Sequence, residues 1–180
     1  VADTGFPGLV LHLATKGIQN QSTPDQGLAV MAEAGEEWDD LVSFAVSRKL
    51  AGLETMSLIP GTVGGAVAGN IGAYGAEVND TLAWVETLDQ DNGQVRRLTR
   101  KECCLGYRSS YFKSPAGRRL VILRAAFHLA PNTAPNLAYK EVRDCLAQQG
   151  AQPPTLAAVR EAVSSIRRRK LPDLAVVGTA

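Results

Sequence analysis

An α+β domain is the fold class that this sequence predicts, and three observations carry it. Short apolar runs bounded by turn residues recur at 9–13, 28–33, 81–88, 94–98 and 119–129, as strands do. Apolar residues spaced three and four apart mark helices over 36–49, 139–149 and 155–169. The chain of 180 residues, 45% hydrophobic and 21% charged, suffices for one domain or one domain plus part of a second. A core of that size needs neither a disulfide nor a metal to hold it.

Leu9 to Leu13 follows the turn residues Gly5, Pro7 and Gly8 and reads as the first strand. Leu28 to Ala32 reads as the second, beyond a polar loop from Gln19 to Gln26. Gly35 and Glu36 open a helix whose apolar stripe is Trp38, Leu41, Val42, Ala45 and Val46. Acidic residues crowd its first turns and Arg48 and Lys49 its end, as the helix dipole favours. Over 52–75 the periodicity stops, and seven of the 17 glycines fall there with Glu54 as the sole charge. Flexible linkers are polar and Ser-rich. This stretch instead carries Leu53, Met56, Leu58, Ile59, Val63, Val67 and Ile71, so a buried, tightly turned loop is expected.

Thr81 to Leu88 and Gln94 to Leu98 form a hairpin around Asn92-Gly93. Thr99 reads as the cap of a short helix through Cys104, with Glu102 at the capping-box position. Arg119 to Leu129 is a further strand, closed by Pro131 and Pro135. Two helices follow over Tyr139–Gln149 and Thr155–Arg169, the second capped by Thr155 after Pro153-Pro154 and ended by Leu171-Pro172-Asp173.

Composition narrows the function. The formal net charge of +1 removes the main reason to expect a nucleic-acid or acidic-membrane binder. No apolar stretch is long enough to cross a bilayer, and the start has neither the basic leader nor the apolar run of a secretion signal. Cys103 and Cys104 are adjacent and Cys145 has no evident partner, so buried, inert thiols in a reducing cytosol are expected. His12 and His128 show no ligand spacing, so no metal site is expected.

The strongest chemical signal is Ile59-Pro60-Gly61-Thr62-Val63-Gly64-Gly65. Backbone N–H groups in tight turns can converge on an anion, and a helix starting near 65–68 would stand behind a pyrophosphate there. The segment lacks the Lys-Ser/Thr pair of a P-loop and the spacing of a Rossmann G-x-G-x-x-G. A ligand-free glycine-rich core loop also fits the composition. The second constellation is Gly106-Tyr107-Arg108-Ser109-Ser110-Tyr111-Phe112-Lys113. Arginine presents a planar fork of donors that can hold a carboxylate or stabilise an oxyanion. Taken alone, Tyr107-Arg108 also fits a surface salt bridge, Tyr139 a core-packing aromatic, and Arg167-Arg168-Arg169-Lys170 a solvated helix end.

Leu58 to Ala66 with Gly69-Asn70-Ile71-Gly72-Ala73-Tyr74-Gly75 resembles the flavin-binding signature of the UDP-N-acetylenolpyruvoylglucosamine reductases. The likeness continues through Glu102-Cys103 with Gly106 to Lys113, similar to that family's E-C-x-F-G-Y-R-x-S-x-F-K, and ends at Lys170-Leu171-Pro172-Asp173, like its K-L-P-D. It covers nearly the whole chain in the right order. The resemblance implies an FAD-binding subdomain of the vanillyl-alcohol-oxidase (PCMH-like) type, a mixed sheet with flanking helices. It implies a bacterial cytoplasmic enzyme, monomeric when full length, that makes peptidoglycan precursors. In that family NADPH reduces FAD, and the hydride then passes to the enolpyruvyl group of a UDP-sugar ether. The enolate so formed is protonated to give UDP-N-acetylmuramate.

Carried over by position, Arg108 is the catalytic residue, facing the carboxylate and developing enolate. Tyr107, Tyr139 and Lys170 contact substrate. Ile59, Pro60, Gly61, Thr62, Val63, Gly64, Gly65, Asn70, Ile71, Gly72, Ala73 and Tyr74 wrap the cofactor through backbone contacts. The family's G-S-F-F-K-N-P segment, with its proton-donating serine, its late glutamate and its early G-G-G-S-N loop have no counterpart in this sequence. The expectation is an internal fragment, inactive alone. Residues 1–18 would end a first FAD subdomain, 19–170 form the second with an insert around 131–154, and 171–180 begin a substrate domain. Two other readings of the loop stand beside this one, a non-catalytic nucleotide-binding module and another flavin oxidoreductase of the same fold.

Overall fold

The structure, a computed structural model, describes residues 5–23, 27–150 and 153–171. Its centre is a five-stranded sheet of β1 (Ile18–Thr23), β2 (Gly27–Glu33), β6 (Leu82–Asp89), β7 (Val95–Thr99) and β8 (Leu120–His128). The spatial order is β1-β2-β8-β6-β7. Every neighbouring pair is antiparallel, which corrects the expected mixed sheet. A hairpin joins β6 to β7, so a short turn takes the place of the crossover that a parallel pair requires.

Helix α1 (Trp38–Ser47) lays Trp38, Leu41, Val42 and Ala45 on the sheet, where Trp38 meets Phe127 of β8 edge-on at 5.8 Å. After the two-residue strand β3 (Leu50–Ala51) and a 3₁₀ turn (Glu54–Met56) comes α2 (Val63–Gly69), packed on the same face. The short strands β4 (Gly72–Ala73) and β5 (Ala76–Glu77) pair with each other and lead into α3 (Val78–Thr81). Beyond β8, the two-residue β9 (Ala130–Pro131) pairs with β3. Helices α4 (Lys140–Gln148) and α5 (Leu156–Lys170) form a second small core of Val142, Leu146, Val159, Ala162, Val163 and Ile166.

The outer face of the sheet is polar and ordered by register. Glu33, Arg124, Glu86 and Arg97 lie opposite one another across β2, β8, β6 and β7, a row of alternating charge. Arg124 stands 3.7 Å from Glu33 and 2.9 Å from Glu86, and Arg97 lies 3.8 Å over the Trp84 ring.

Four sequence expectations change. Leu9 to Leu13 forms no strand, since among the described residues nothing pairs with it, and Leu9 and Leu11 are about four-fifths exposed, at 81% and 80%. The expected polar loop 19–26 is largely β1, whose polar residues pair through their backbone with β2. The capping box at Thr99 and Glu102 forms, with Thr99 donating from its amide (2.8 Å) and hydroxyl (2.6 Å), but it caps a turn rather than a helix. The loop 52–75 is not irregular throughout, because it contains the 3₁₀ turn, α2 and the short strand β4. Cys103 is buried, and burial pushes its thiol up to about 12, so it is inert, whereas Cys104 is exposed. Among the described residues no helix is long and apolar enough to cross a membrane. Among the described residues no cluster of potential metal ligands occurs.

Candidate functional site

The site is built where α2 ends. Asn70 takes the left-handed conformation (φ 42°) that stops the helix, and its buried amide ties two other segments to that point. Its Nδ2 donates to Gly106 O at 2.9 Å and its Oδ1 accepts from Asn79 N at 2.9 Å. Gly106 and Ser109 exchange backbone hydrogen bonds of 3.0 and 2.9 Å, making a tight turn with Tyr107 and Arg108 at its tip. Ser110 anchors the base of that turn by donating to Ala68 O at 2.7 Å, and Lys113 Nζ donates to Arg108 O at 2.8 Å.

Arg108 therefore projects from a held turn, in a left-handed backbone (φ 51°). Leu58 (57°), Asn70 (42°), Tyr74 (50°) and Arg108 are four of seven non-glycine residues with positive φ among those described. Such conformations cost about 1–3 kcal/mol each and persist where surrounding structure enforces them, commonly at ligand sites.

Arg108 stands between two cavities. The larger, about 530 Å³, is lined by Asn70, Gly72, Ala73, Tyr74, Tyr107 and Arg108, with Glu77 and Asp80 on its acidic side. The smaller, about 250 Å³, is walled by Ile59, Gly69, Ile71 and Gly72, with Arg108, Lys113 and Arg167 as its polar groups. The Tyr107 side chain is a rim group, 89% exposed. Tyr139, the residue before α4, meets Tyr74 edge-on at 5.2 Å, which joins the helix pair to the glycine-rich segment. Burial pushes the Tyr74 hydroxyl upward, so it stays a neutral donor.

Tyr139 is delivered by a chain of polar contacts that starts in the core. Glu54, 1% exposed, accepts from Gly52 N (2.7 Å) and from Asn136 N (3.0 Å). Asn136 Oδ1 accepts from Ala138 N at 2.9 Å, and Arg143 caps the carbonyls of Leu137 and Ala138 at 2.6 and 2.7 Å.

The segment 60–65 is arranged differently from the expected ring of free amides. Val63 N donates to Glu36 O (2.8 Å), Gly64 N to Ala34 O (2.9 Å) and Gly65 N to Thr62 Oγ1 (3.4 Å). Thr62 caps α2, so the helix begins at Val63, two residues before the expected position, and these amides are taken up within the chain. Val63 is fully buried, while Pro60, Gly61 and Gly65 face solvent.

The glycines of the segment separate into two kinds. A Cβ on Gly64 would meet Ala34 Cβ at 3.0 Å and Ala34 O at 3.2 Å, so packing within the chain demands glycine there. Gly65 has ordinary space, with Thr62 Oγ1 at 3.6 Å and no left-handed φ, and Gly106 has open space. Neither glycine is explained by the chain's own packing. Both therefore leave backbone that a bound group could approach closely, and in this respect the residues present fit a cofactor held by backbone contacts.

Helix α5 grips the entrance to this segment. Arg160 pairs with both Asp39 oxygens at 2.6 and 2.7 Å. Asp39 also accepts from Leu58 N at 2.7 Å, and Arg167 Nε donates to Leu58 O at 3.2 Å. Burial opposes ionisation of Asp39, but the Arg160 and Leu58 hydrogen bonds outweigh it and hold the carboxyl below its ordinary value. The basic helix end is thus not simply solvated, which corrects that reading for Arg167. Sequence reasoning gave Arg167 no role, although its seven-residue spacing from Arg160 puts both on one helix face. Lys170 is exposed and pairs with Glu141 of α4 at 2.7 Å, where Arg169 also stands at 3.9 Å.

The profile of the family described as FAD binding domain matches residues 1–99. UDP-N-acetylenolpyruvoylglucosamine reductase of Pseudomonas fluorescens is 46% identical over 172 residues, 96% of this chain and 50% of that protein. The protein of the same name from Chromobacterium violaceum is 41% identical over 97% of this chain and 52% of its own length. The crystal structure of UDP-N-acetylenolpyruvylglucosamine reductase (MurB) from Thermus caldophilus superposes with a TM-score of 0.58 at 25% identity, covering 84% of this chain and 47% of that one. The chain spans about half the length of the curated relatives it matches.

Proposed function

The chain belongs to the FAD binding domain family, and from that premise we propose that it is the flavin-binding part of a reductase acting on UDP-N-acetylglucosamine enolpyruvate. The enzyme is a bacterial cytoplasmic one that uses NADPH and yields UDP-N-acetylmuramate for peptidoglycan synthesis. Residues 19–170 are its second FAD subdomain, 1–18 the end of the first and 171–180 the start of a substrate domain. When bound, FAD supplies the two-electron carrier between NADPH and the enolpyruvyl double bond.

The chain's own residues hold and polarise the substrate. Arg108 binds the carboxylate and stabilises the negative charge that develops as the double bond accepts hydride, a gain realised mainly in the transition state. Tyr107 and Tyr139 border the substrate beside it, and Lys170 exchanges its Glu141 partner for a substrate phosphate. Gly61, Gly65 and the 70–74 backbone present the cofactor with a surface that carries little side chain. The observation that carries this reading is the held position of Arg108, at the tip of the Gly106–Ser109 turn and on the rim of both cavities.

The test uses the full-length protein. NADPH oxidation is expected to require the enolpyruvyl substrate. Arg108→Ala is expected to lower kcat by about 10²–10³ while the visible flavin absorbance stays unchanged. A wild-type protein that binds no flavin, or an Arg108→Ala variant within a few-fold of wild type, overturns the reading.

A further inference from the structure

Arg108 stands on a turn whose tip is not held by packing. On either side of it Leu105 packs on the core and Ser110 is buried. Between them Tyr107, Arg108 and Ser109 are exposed, and a Cβ on Gly106 would meet nothing within 4 Å. Hydrogen bonds therefore set the turn. Gly106 and Ser109 bind each other, the exposed Lys113 reaches the Arg108 carbonyl, and Ser110 ties the far end to Ala68 O. Among the described residues, the near end has one side-chain hydrogen bond to the body of the fold, from Asn70 Nδ2 to Gly106 O at 2.9 Å.

The Asn70 amide can sit in only one orientation. Its Oδ1 accepts from Asn79 N, 9 positions on, so its Nδ2 faces the Gly106 carbonyl, 36 positions on. A flipped amide would set donor against donor and acceptor against acceptor. At 3% exposure, Asn70 leaves water little room to replace either partner. A left-handed helix end is ordinarily given to glycine. Asparagine tolerates that conformation and brings an amide, and here both polar atoms of the amide are spent on other segments.

We infer that Asn70 is a positioning residue for Arg108. Its side chain fixes where the Gly106–Ser109 turn begins, and so where the guanidinium is carried. Its backbone runs directly into the 71–74 segment, so the glycine-rich strip and the Arg108 turn share one fixed point. The inference rests on the function proposed above, in which Arg108 faces the reacting group.

The test is a double-mutant cycle in the full-length protein, with kcat expressed per bound flavin. Asn70→Gly keeps the left-handed helix end and removes both hydrogen bonds. It is expected to lower kcat by about ten- to a hundredfold, since a misplacement of about 1 Å can cost about 10². In an Arg108→Ala background the same change is expected to lower kcat no further, because the group it positions is gone. Asn70→Asp, whose ionised carboxylate still accepts from Asn79 N but offers Gly106 O no donor, is expected to fall with Asn70→Gly. Hydrogen exchange at the Ser109 amide is expected to quicken in both variants.

An Asn70→Gly or Asn70→Asp protein that turns over as wild type does overturns the inference. So does an Asn70→Gly loss of equal size with and without Arg108, which a general structural role would give. Failure of both variants to bind flavin overturns it too, by showing that the side chain serves the cofactor or the fold. An Arg108→Ala protein within a few-fold of wild type overturns the proposed function instead, and the Ser109 exchange rates then report the hold on the turn by themselves.

Discussion

Gly64 and Gly65 are neighbours with opposite obligations. Gly64 lets α2 approach the strand end at Ala34, while Gly65 faces outward with room for a methyl group. Gly64→Ala is expected to destabilise the fold by about 1–3 kcal/mol, the range for overpacking. Gly65→Ala is expected to leave stability unchanged or raise it by up to about 1 kcal/mol, since alanine favours the helix. The same change lowers FAD affinity if a cofactor lies against that face. Urea unfolding of both variants, with flavin titration of the second, separates the two roles. A Gly65→Ala protein as destabilised as Gly64→Ala would show that both glycines serve internal packing. The distinction was not legible in the sequence, where both positions read as one glycine-rich loop, because it depends on which side of α2 meets Ala34.

At the scale of elements, α5 acts as a clamp. Arg160 reaches back 121 residues to Asp39 on α1, and together they fix the left-handed Leu58 just ahead of the Pro60-Gly61 turn. The Asp39 carboxyl is held below its unfolded value near 3.9. Its contribution is therefore fully present above that value and is lost as pH falls through the lower folded one. Asp39→Asn is expected to cost about 2 kcal/mol near neutrality, typical of hydrogen bonds to a charged group. It is also expected to flatten the acid limb of the stability profile, measured by denaturant midpoints between about pH 2 and 7. An acid limb unchanged by Asp39→Asn would remove the clamp from the stability argument. The helices themselves were legible from spacing and caps, with Thr155 accepting from Ala158 N at 3.1 Å as its position predicts. What they grip was not, because a helix period states which residues share a face and not what that face meets.

Across the whole molecule, the α4–α5 pair is joined to the rest of the fold by α5, which packs against the 3₁₀ turn and α1, and by the buried carboxylate of Glu54. Glu54 holds Asn136, 82 positions away, and so sets where the loop before Tyr139 lies. Glu54→Gln keeps the shape but loses the charge, so its amide bonds weaken. Hydrogen exchange at Asn136 and Ala138 is expected to quicken more than at residues of β8, and unchanged protection there would detach the loop from this anchor. Through the family resemblance the sequence singled out Arg108, and by itself it determined the α+β class, the main strand and helix positions from 28 onward and the special backbone of 52–75. Those follow from period, turn chemistry and glycine placement, which act over neighbouring residues. Only the tertiary structure decided that 18–23 completes the sheet, that the α2 amides are spent on Glu36 and Ala34, and that Arg167 shares a cavity with Arg108. Pairing, burial and the convergence of charge join residues far apart in the chain, and no local pattern encodes such meetings.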